Sequence, residues 1–535
     1  MKEKLQAIIK EQLTDVDVNP QDITIEVPKE TKFGDYSSNI AMVLCKQLHK
    51  SPIQIAEEIQ SGITEEFIER IEVVKPGFLN FYVKKDYLLE NIFTVIEQGE
   101  NYGRNDLGKN TKINIEYVSA NPTGILHLGH ARGACFGDSL SRIMDFCGYD
   151  VTREYYINDA GNQMNNLGIS IKERYKEALG LEASLPEDGY HGKEIIEIAE
   201  NLKETYGKTL LEKDINYFRE YGLQFLMDKI KEHLKQFHIE FDVWTSEQSL
   251  YENGKVDKAL HKLKESGYTY EQDGALWLKT SAFGDEKDRV LVKKDGLYTY
   301  LTPDISYHYD KFQRGFDELI DVLGADHHGY INRLKASIQM LGNNPDKLDV
   351  EILQLVRLIQ NGEEVKMSKR TGKAVTMNEL MNEVGVDATR YFFIMRSLNS
   401  MMDFDMDLAV KKNNENPFYY VGYAHARICS ILNSTKRVAK ISKFDTINSA
   451  VAYNVLATVY EFEEVVKNCC KKRQPHLMTN YLYDLASKFH TYYSQEKIMT
   501  DDEQYSNERL LLIESVKIVL QNGLRLIGVI APDKM

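Results

Sequence analysis

Residues 111–157 constrain the fold more than any other stretch. Ile113, Ile115 and Tyr117 alternate with Asn114 and Glu116, and a period of two predicts a strand. Asn121-Pro122-Thr123-Gly124 breaks that pattern. A helix with Phe136, Leu140, Ile143 and Met144 on one face follows, and Asp150–Ile157 reads as a second strand. Strand, loop, helix and strand is the βαβ order, the crossover that a parallel pair requires. The expected fold class is therefore α/β, built on a Rossmann-like parallel sheet.

The chain has 535 residues, enough for roughly three to four domains of ~150 residues. Residues 1–105 read as a small α/β domain. Leu5, Ile8, Ile9 and Leu13 lie at helical spacing among charges, an amphipathic helix rather than a signal peptide. Ile23–Val27 alternates as a strand, Ser51-Pro52 opens a helix, and Ile71–Val74 and Phe78–Val83 flank a Pro76-Gly77 turn. Asn101–Asn110 is a polar linker. The parallel-sheet domain is expected over 106–400, with 166–290 as a charged, mostly helical insertion. The sheet then resumes at Phe316–Leu323 and Leu348–Ile359. Asn361-Gly362 is a hairpin signal, and Thr376 with Glu379 a capping box. Residues 405–535 read as an all-helical domain.

Net charge is −15, which argues against indiscriminate coating of DNA or RNA but allows local basic surfaces. No apolar run approaches the ~18 residues that span a bilayer. The six cysteines include no C-x-x-C pair, so a reduced, cytoplasmic setting without structural zinc or another metal site is expected.

His127-Leu128-Gly129-His130 falls where the first strand's loop becomes a helix. Such an N-terminus presents unpaired N–H groups and partial positive charge, so it favours phosphate. Two imidazoles three residues apart can donate to one triphosphate, and Gly129 lets a base or ribose approach the backbone. Standing alone, the motif is also two solvent histidines beside a glycine. Lys366-Met367-Ser368-Lys369-Arg370-Thr371-Gly372 follows the hairpin. Its lysines suit a pyrophosphate leaving group as charge builds there, although any single K-x-x-K is commonly a surface loop. Neither G-x-G-x-x-G after the first strand nor G-x-x-x-x-G-K-[ST] is present, which removes the dinucleotide and P-loop readings. Asp326-His327-His328 is similar to the D-H-H of metal phosphoesterases, but the further aspartate clusters of a two-metal site are lacking.

The pair of motifs, about 240 residues apart, resembles the two signatures of class I aminoacyl-tRNA synthetases. Further stretches resemble arginyl-tRNA synthetases nearly end to end. They are Glu116–Gly124, Tyr155–Gln163, Tyr298–Asp304, Gly324–Tyr330, Asp387–Phe392, Tyr419–Arg427 and Lys32–Asn39. Leu128 stands where Ile is usual, and Lys369-Arg370 where many members have Lys-Ser. Neither changes a phosphate-contacting side chain.

The resemblance implies ATP-driven ligation of arginine to tRNA(Arg), with Mg²⁺ on the nucleotide, by a cytoplasmic monomer that uses neither DNA nor a membrane. His127, His130, Lys366 and Lys369 would be catalytic, with Thr123, Gly124, Gly129, Met367 and Ser368 completing the ATP site. A guanidinium is planar, always charged and rich in donors, so its pocket needs carboxylates and a flat wall. By similarity Glu116, Asp304 and Tyr300 would hold that end. Asn121 and the Asp326–His327 corner would hold the amino-acid end, with Asn158 and Asp159 in support. The N-terminal domain would touch the tRNA corner and the helical domain the anticodon. Lys467, Lys471, Lys472 and Arg473 read equally as a phosphate contact or a solvated helix face. A non-enzymatic RNA-binding relative would be expected to have lost one motif. A coenzyme-forming nucleotidyltransferase would lack the helical domain.

Overall fold

The computed structural model describes residues 1–14, 16–28, 30–365, 375–435 and 441–535, without the side chains of 21, 31 and 326–328. Lys366, Met367, Ser368 and Lys369 therefore lie outside the described residues, as do the side chains of Asp326 and His327.

The first helix, α1 (Lys2–Gln12), buries Leu5, Ile8 and Ile9 as its spacing predicts. It is followed by β1 (Ile25–Glu26), β2 (Tyr36–Ser38), α2 (Ile40–Leu48), α3 (Pro52–Gly62), β3 (Ile68–Val74), β4 (Phe78–Val83) and α4 (Lys85–Gln98). The four strands form an antiparallel sheet in the order β1-β2-β4-β3. Ser51 and Gln54 cap the start of α3 reciprocally, with Pro52 just inside it. The strand expected over Ile23–Val27 shortens to two residues.

The second domain continues with β5 (Lys112–Glu116), α5 (Leu128–Phe146), β6 (Asp150–Ile157), α6 (Asn162–Ala178), α7 (Lys193–Tyr206), α8 (Ile215–Gln236) and β7 (Val243–Ser246). Then come α9 (Glu247–Glu252), α10 (Lys255–Glu265), β8 (Thr269–Gln272), β9 (Ala275–Leu278), β10 (Arg289–Val292), α11 (Leu301–Gln313), β11 (Glu318–Gly324), α12 (Ile331–Met340) and β12 (Leu348–Leu353). Five strands form one parallel sheet, ordered β12-β11-β5-β6-β7. The chain steps outward from β5 through β6 to β7, then returns to the other side of β5. Ligands of such sheets bind beyond the carboxyl ends of the strands where the order reverses, here between β5 and β11.

One expectation needs correction. The span 166–290 is not wholly an insertion, because β7 lies within it and is an edge strand of the main sheet. Its four half-buried residues carry too little apolar pattern to stand out among charged helices. The run Leu348–Ile359 also divides: β12 ends at Leu353, and β13 (Val356–Gln360) turns away to pair with β14 (Glu363–Glu364) and β15 (Met402–Asp405). The Asn361-Gly362 turn joins β13 to β14 with both residues at positive φ, 55° and 76°, as a two-residue hairpin requires. Between them and β15 stand α13 (Met377–Val384) and α14 (Val386–Ile394).

The last part holds α15 (Met406–Ala409), α16 (Pro417–Ser434), α17 (Ala450–Tyr460), α18 (Phe462–Lys471), α19 (His476–Gln495) and α20 (Glu503–Leu526). Among the described helices none is long and apolar enough to cross a membrane. The N-terminal domain packs on these helices: Tyr87 reaches the Tyr460 hydroxyl at 3.2 Å, and Asn522 donates to the Gly99 carbonyl at 2.9 Å. Buried Arg390 of α14 ties three regions together, donating to Asp138 of α5 and to the carbonyls of Phe237 and Ile527.

Candidate active site

The site begins where β5 ends. Val118 and Ser119 both adopt left-handed backbone, with φ of 70° and 38°, a strained choice for a β-branched valine. The kink is held from two sides. Ser119 Oγ donates to Glu116 at 2.8 Å and accepts the Tyr156 N–H at 3.2 Å. The Tyr155 hydroxyl accepts the Ala120 N–H and donates to the Ala120 carbonyl, while its ring stacks on Trp244 of β7. This loop leads to exposed Asn121 and on to α5.

At the start of α5, His127 Nδ1 accepts the Gly129 N–H, and the His127 N–H is accepted by His130 Nδ1, each at 3.2 Å. The two rings stack 3.8 Å apart. An imidazole nitrogen that accepts cannot hold a proton, so each neutral ring carries its proton on Nε2. Both Nε2 atoms are thus donors, the polarity a phosphate needs. Gly129 has a further reason to be glycine: a Cβ there would stand 3.3 Å from the His127 ring. Gly124 lies against α7, where a Cβ would come within 3.0 Å of the Glu194 carboxylate.

The chain returning from the basic segment is bonded to the histidine motif. Leu128 N–H donates to the Val375 carbonyl at 3.3 Å, Met377 N–H to the Leu126 carbonyl at 2.8 Å, and His127 bridges Thr376. Thr376 and Glu379 form the expected capping box on α13. The described chain that resumes at Val375 therefore lies against the histidine motif.

Beneath the loop, fully buried Lys311 of α11 lies between Glu116 and Asp321, 2.9 Å from the latter. His308 Nε2 meets Asp321 at 2.6 Å, and its Nδ1 donates to the Asp304 carbonyl. Burial works against each of these charges, but their mutual attraction outweighs it. Asp321 is held well below the ordinary carboxylate range, while Lys311 and His308 are held above their own ordinary values. Glu116 is thus an ion-pair partner of Lys311 and only 6 % exposed.

The acids that answer each other at the sheet's end are Glu247 and Asp304. Glu247 opens α9 at the carboxyl end of β7, and burial followed by the neighbouring Asp304 pushes its carboxyl up to about 7. Asp304 accepts from the Tyr330 hydroxyl, and Asp159 accepts from Ser246 Oγ and the Gln248 N–H. Sequence reasoning missed Glu247. The available signal was its position directly after a strand, but β7 itself went unread. Tyr300 stands at the N-terminus of α11, 80 % exposed, and does not close on these acids.

The family comparisons fit this geometry. The model of the class I (R) tRNA synthetase catalytic domain matches residues 91–412. Arginine–tRNA ligase from Bacillus subtilis is 52 % identical over 547 residues, covering 100 % of this chain and 98 % of that protein. The chain belongs to the arginyl-tRNA synthetase family. The family's N-terminal domain matches residues 3–83, and a DALR anticodon-binding domain matches 421–535. Bacillus velezensis arginine–tRNA ligase is likewise 52 % identical, over the same shares of both chains. The solved Thermus thermophilus arginyl-tRNA synthetase superposes with a TM-score of 0.79 over 100 % of both chains at 22 % identity, which shows the shared fold.

Among the four basic residues read as a tRNA contact, Lys467 and Lys471 pair with Glu3 of α1 at 2.9 and 2.7 Å. Arg473 pairs with Asp349 of β12 at 2.7 Å. Three of the four thus join domains of this arginyl-tRNA synthetase, and Lys472 alone has no carboxylate partner among the described residues.

Proposed function

We infer that the chain ligates arginine to tRNA(Arg) as a cytoplasmic monomer. The arginine carboxylate attacks the ATP α-phosphorus and pyrophosphate leaves. The 2′-hydroxyl of the terminal adenosine then attacks the adenylate carbonyl, and AMP leaves. No side-chain nucleophile is required, so catalysis lies in in-line positioning and stabilisation of phosphate charge. The observation that carries the reading is the stacked His127–His130 pair, its Nδ1 atoms occupied by backbone, bonded directly to the chain leaving the basic segment.

In this reading His127 and His130 donate from Nε2 to the triphosphate, Lys366 and Lys369 neutralise the departing pyrophosphate, and Thr123, Gly124, Gly129, Met367 and Ser368 shape the nucleotide site. Glu247 and Asp304 bind the guanidinium, whose charge relieves their repulsion. Tyr300 is the outer wall, and Glu116 acts through Lys311. Asn121 with Asp326 and His327 holds the amino-acid end. Mg²⁺ is held by the nucleotide's phosphates. In the Glu116–His308–Asp321 cluster both carboxylates already bind the Lys311 ammonium, so it does not suit a second cation. The helical domain reads the anticodon region, the N-terminal domain touches the tRNA corner, and activation requires bound tRNA.

The test is charging of total tRNA with each labelled amino acid in turn, in the presence of ATP and Mg²⁺. Arginine alone is the expected product, and charging of another amino acid would overturn the pocket. Pyrophosphate exchange should appear only when tRNA is added.

A further inference from the structure

A narrow cleft of about 40 Å³, open to solvent, lies between the catalytic domain and the α18–α19 corner. At its base is Arg132 of α5, which is 1 % exposed. Its two terminal nitrogens donate to the carbonyls of Gln354, Ser397 and Ser400 at 2.9–3.0 Å, but Nε has no hydrogen-bond partner. No carboxylate lies within ion-pair distance of Arg132 among the described residues. Burial alone pushes its guanidinium down to about 10, the mark of an unanswered charge.

The rim adds Arg396, Lys472 and His476. None of them has a carboxylate partner among the described residues, and Arg396 and Lys472 are exposed. Helix α19 opens at the same place with no side-chain cap, directing its positive end there. Glu351 is the acid in the lining, and Arg473 stands 3.7 Å from it while binding Asp349. The excess of positive charge is therefore local, on a chain whose net charge is −15.

We propose that this cleft binds a phosphate group, delivered by the tRNA backbone at the seam between the catalytic and anticodon-binding domains. Several donors converge from different elements, which suits the spread of oxygens on a phosphate. A polymer anchored elsewhere raises the local phosphate concentration, so a modest cleft suffices. The proposal deepens the tRNA-ligation reading and rests on it.

The experiment measures tRNA affinity against KCl concentration for the intact chain and for the Arg396→Gln/Lys472→Gln variant. Arginine charging at saturating tRNA and melting in inorganic phosphate against chloride at matched ionic strength accompany it. Loss of one phosphate contact should make the slope of log affinity against log salt shallower by about 0.7–0.9. Affinity should fall roughly tenfold, while an Arg396→Lys/Lys472→Arg variant keeps the slope. Equal slopes, with phosphate stabilising the intact chain and not the Gln variant, would keep the cleft as a phosphate site and overturn the tRNA assignment. Equal slopes without a phosphate-specific shift would overturn the proposal altogether. Failure of the intact chain to charge arginine would instead overturn the functional reading.

Discussion

A lysine without solvent contact persists only where its charge is answered, and Lys311 is answered twice, by Glu116 and Asp321. Removing one partner from a buried ion pair commonly costs about 3–5 kcal/mol, because the remaining charges stay buried. Lys311→Met should lower stability by about that much in urea titration at pH 7. The deficit should shrink toward pH 5, as Glu116, left without its cation, and Asp321, left with His308 alone, become easier to protonate. In the intact chain the depressed Asp321 contributes stability above the unfolded value of about 4, and that contribution disappears as pH falls through its lower folded value. The raised Lys311 acts oppositely, its contribution lasting until pH rises through its elevated value. Glu247 gives a separate signature. Its carboxyl, raised to about 7, must ionise to pair with a guanidinium, so KM for arginine should increase as pH falls from 8 to 6. Glu247→Gln should increase KM at pH 8 by roughly 30-fold or more, given ~2–5 kcal/mol for a lost buried charged partner, and abolish that pH dependence.

At the level of elements, strand, kink and helix around residues 112–146 were legible because each local pattern agrees with the fold. The alternation of Ile113 and Ile115, the break at Pro122 and the apolar face of α5 all point one way. What sequence could not show was pairing that depends on distant elements. Nothing in the chain around Glu116 announces its pairing with Lys311, 195 residues away. Nor does the sequence around Lys467 and Lys471, read equally as a phosphate contact or a solvated helix face, announce their pairing with remote Glu3. The kink itself is testable. Val118 holds a φ of 70°, costing about 1–3 kcal/mol, so Val118→Gly should raise stability by roughly 0.5–1 kcal/mol after glycine's own entropy cost. It should also raise KM for arginine, because Asn121 and Ser119 then hang from a looser loop. Thr376→Ala removes the cap of α13 and should cost about 1 kcal/mol. Pyrophosphate exchange should fall as well, since the loosened start of α13 carries Val375 and Met377, whose backbone bonds hold the His127 loop.

Across the whole molecule, domains far apart in sequence are joined by charge as well as by apolar packing. Glu3 meets Lys467 and Lys471, Arg473 meets Asp349, and Arg525 meets Glu100. Glu3→Lys places a third cation beside the two lysines, so the N-terminal domain should loosen from α18. Hydrogen exchange should then rise in α1 and α18 but not in β5, and the effect should diminish at high salt. These contacts also bear on synthesis. Glu3 emerges 468 positions before Lys471, and at roughly 5–20 residues per second the ribosome needs about 20–90 s to supply the partner. During that interval the first domain waits with Tyr87 and Tyr102, which later meet α17, still uncovered. Slower translation of the last hundred or so codons would lengthen that wait, and with it the exposure of this face, without altering the finished enzyme.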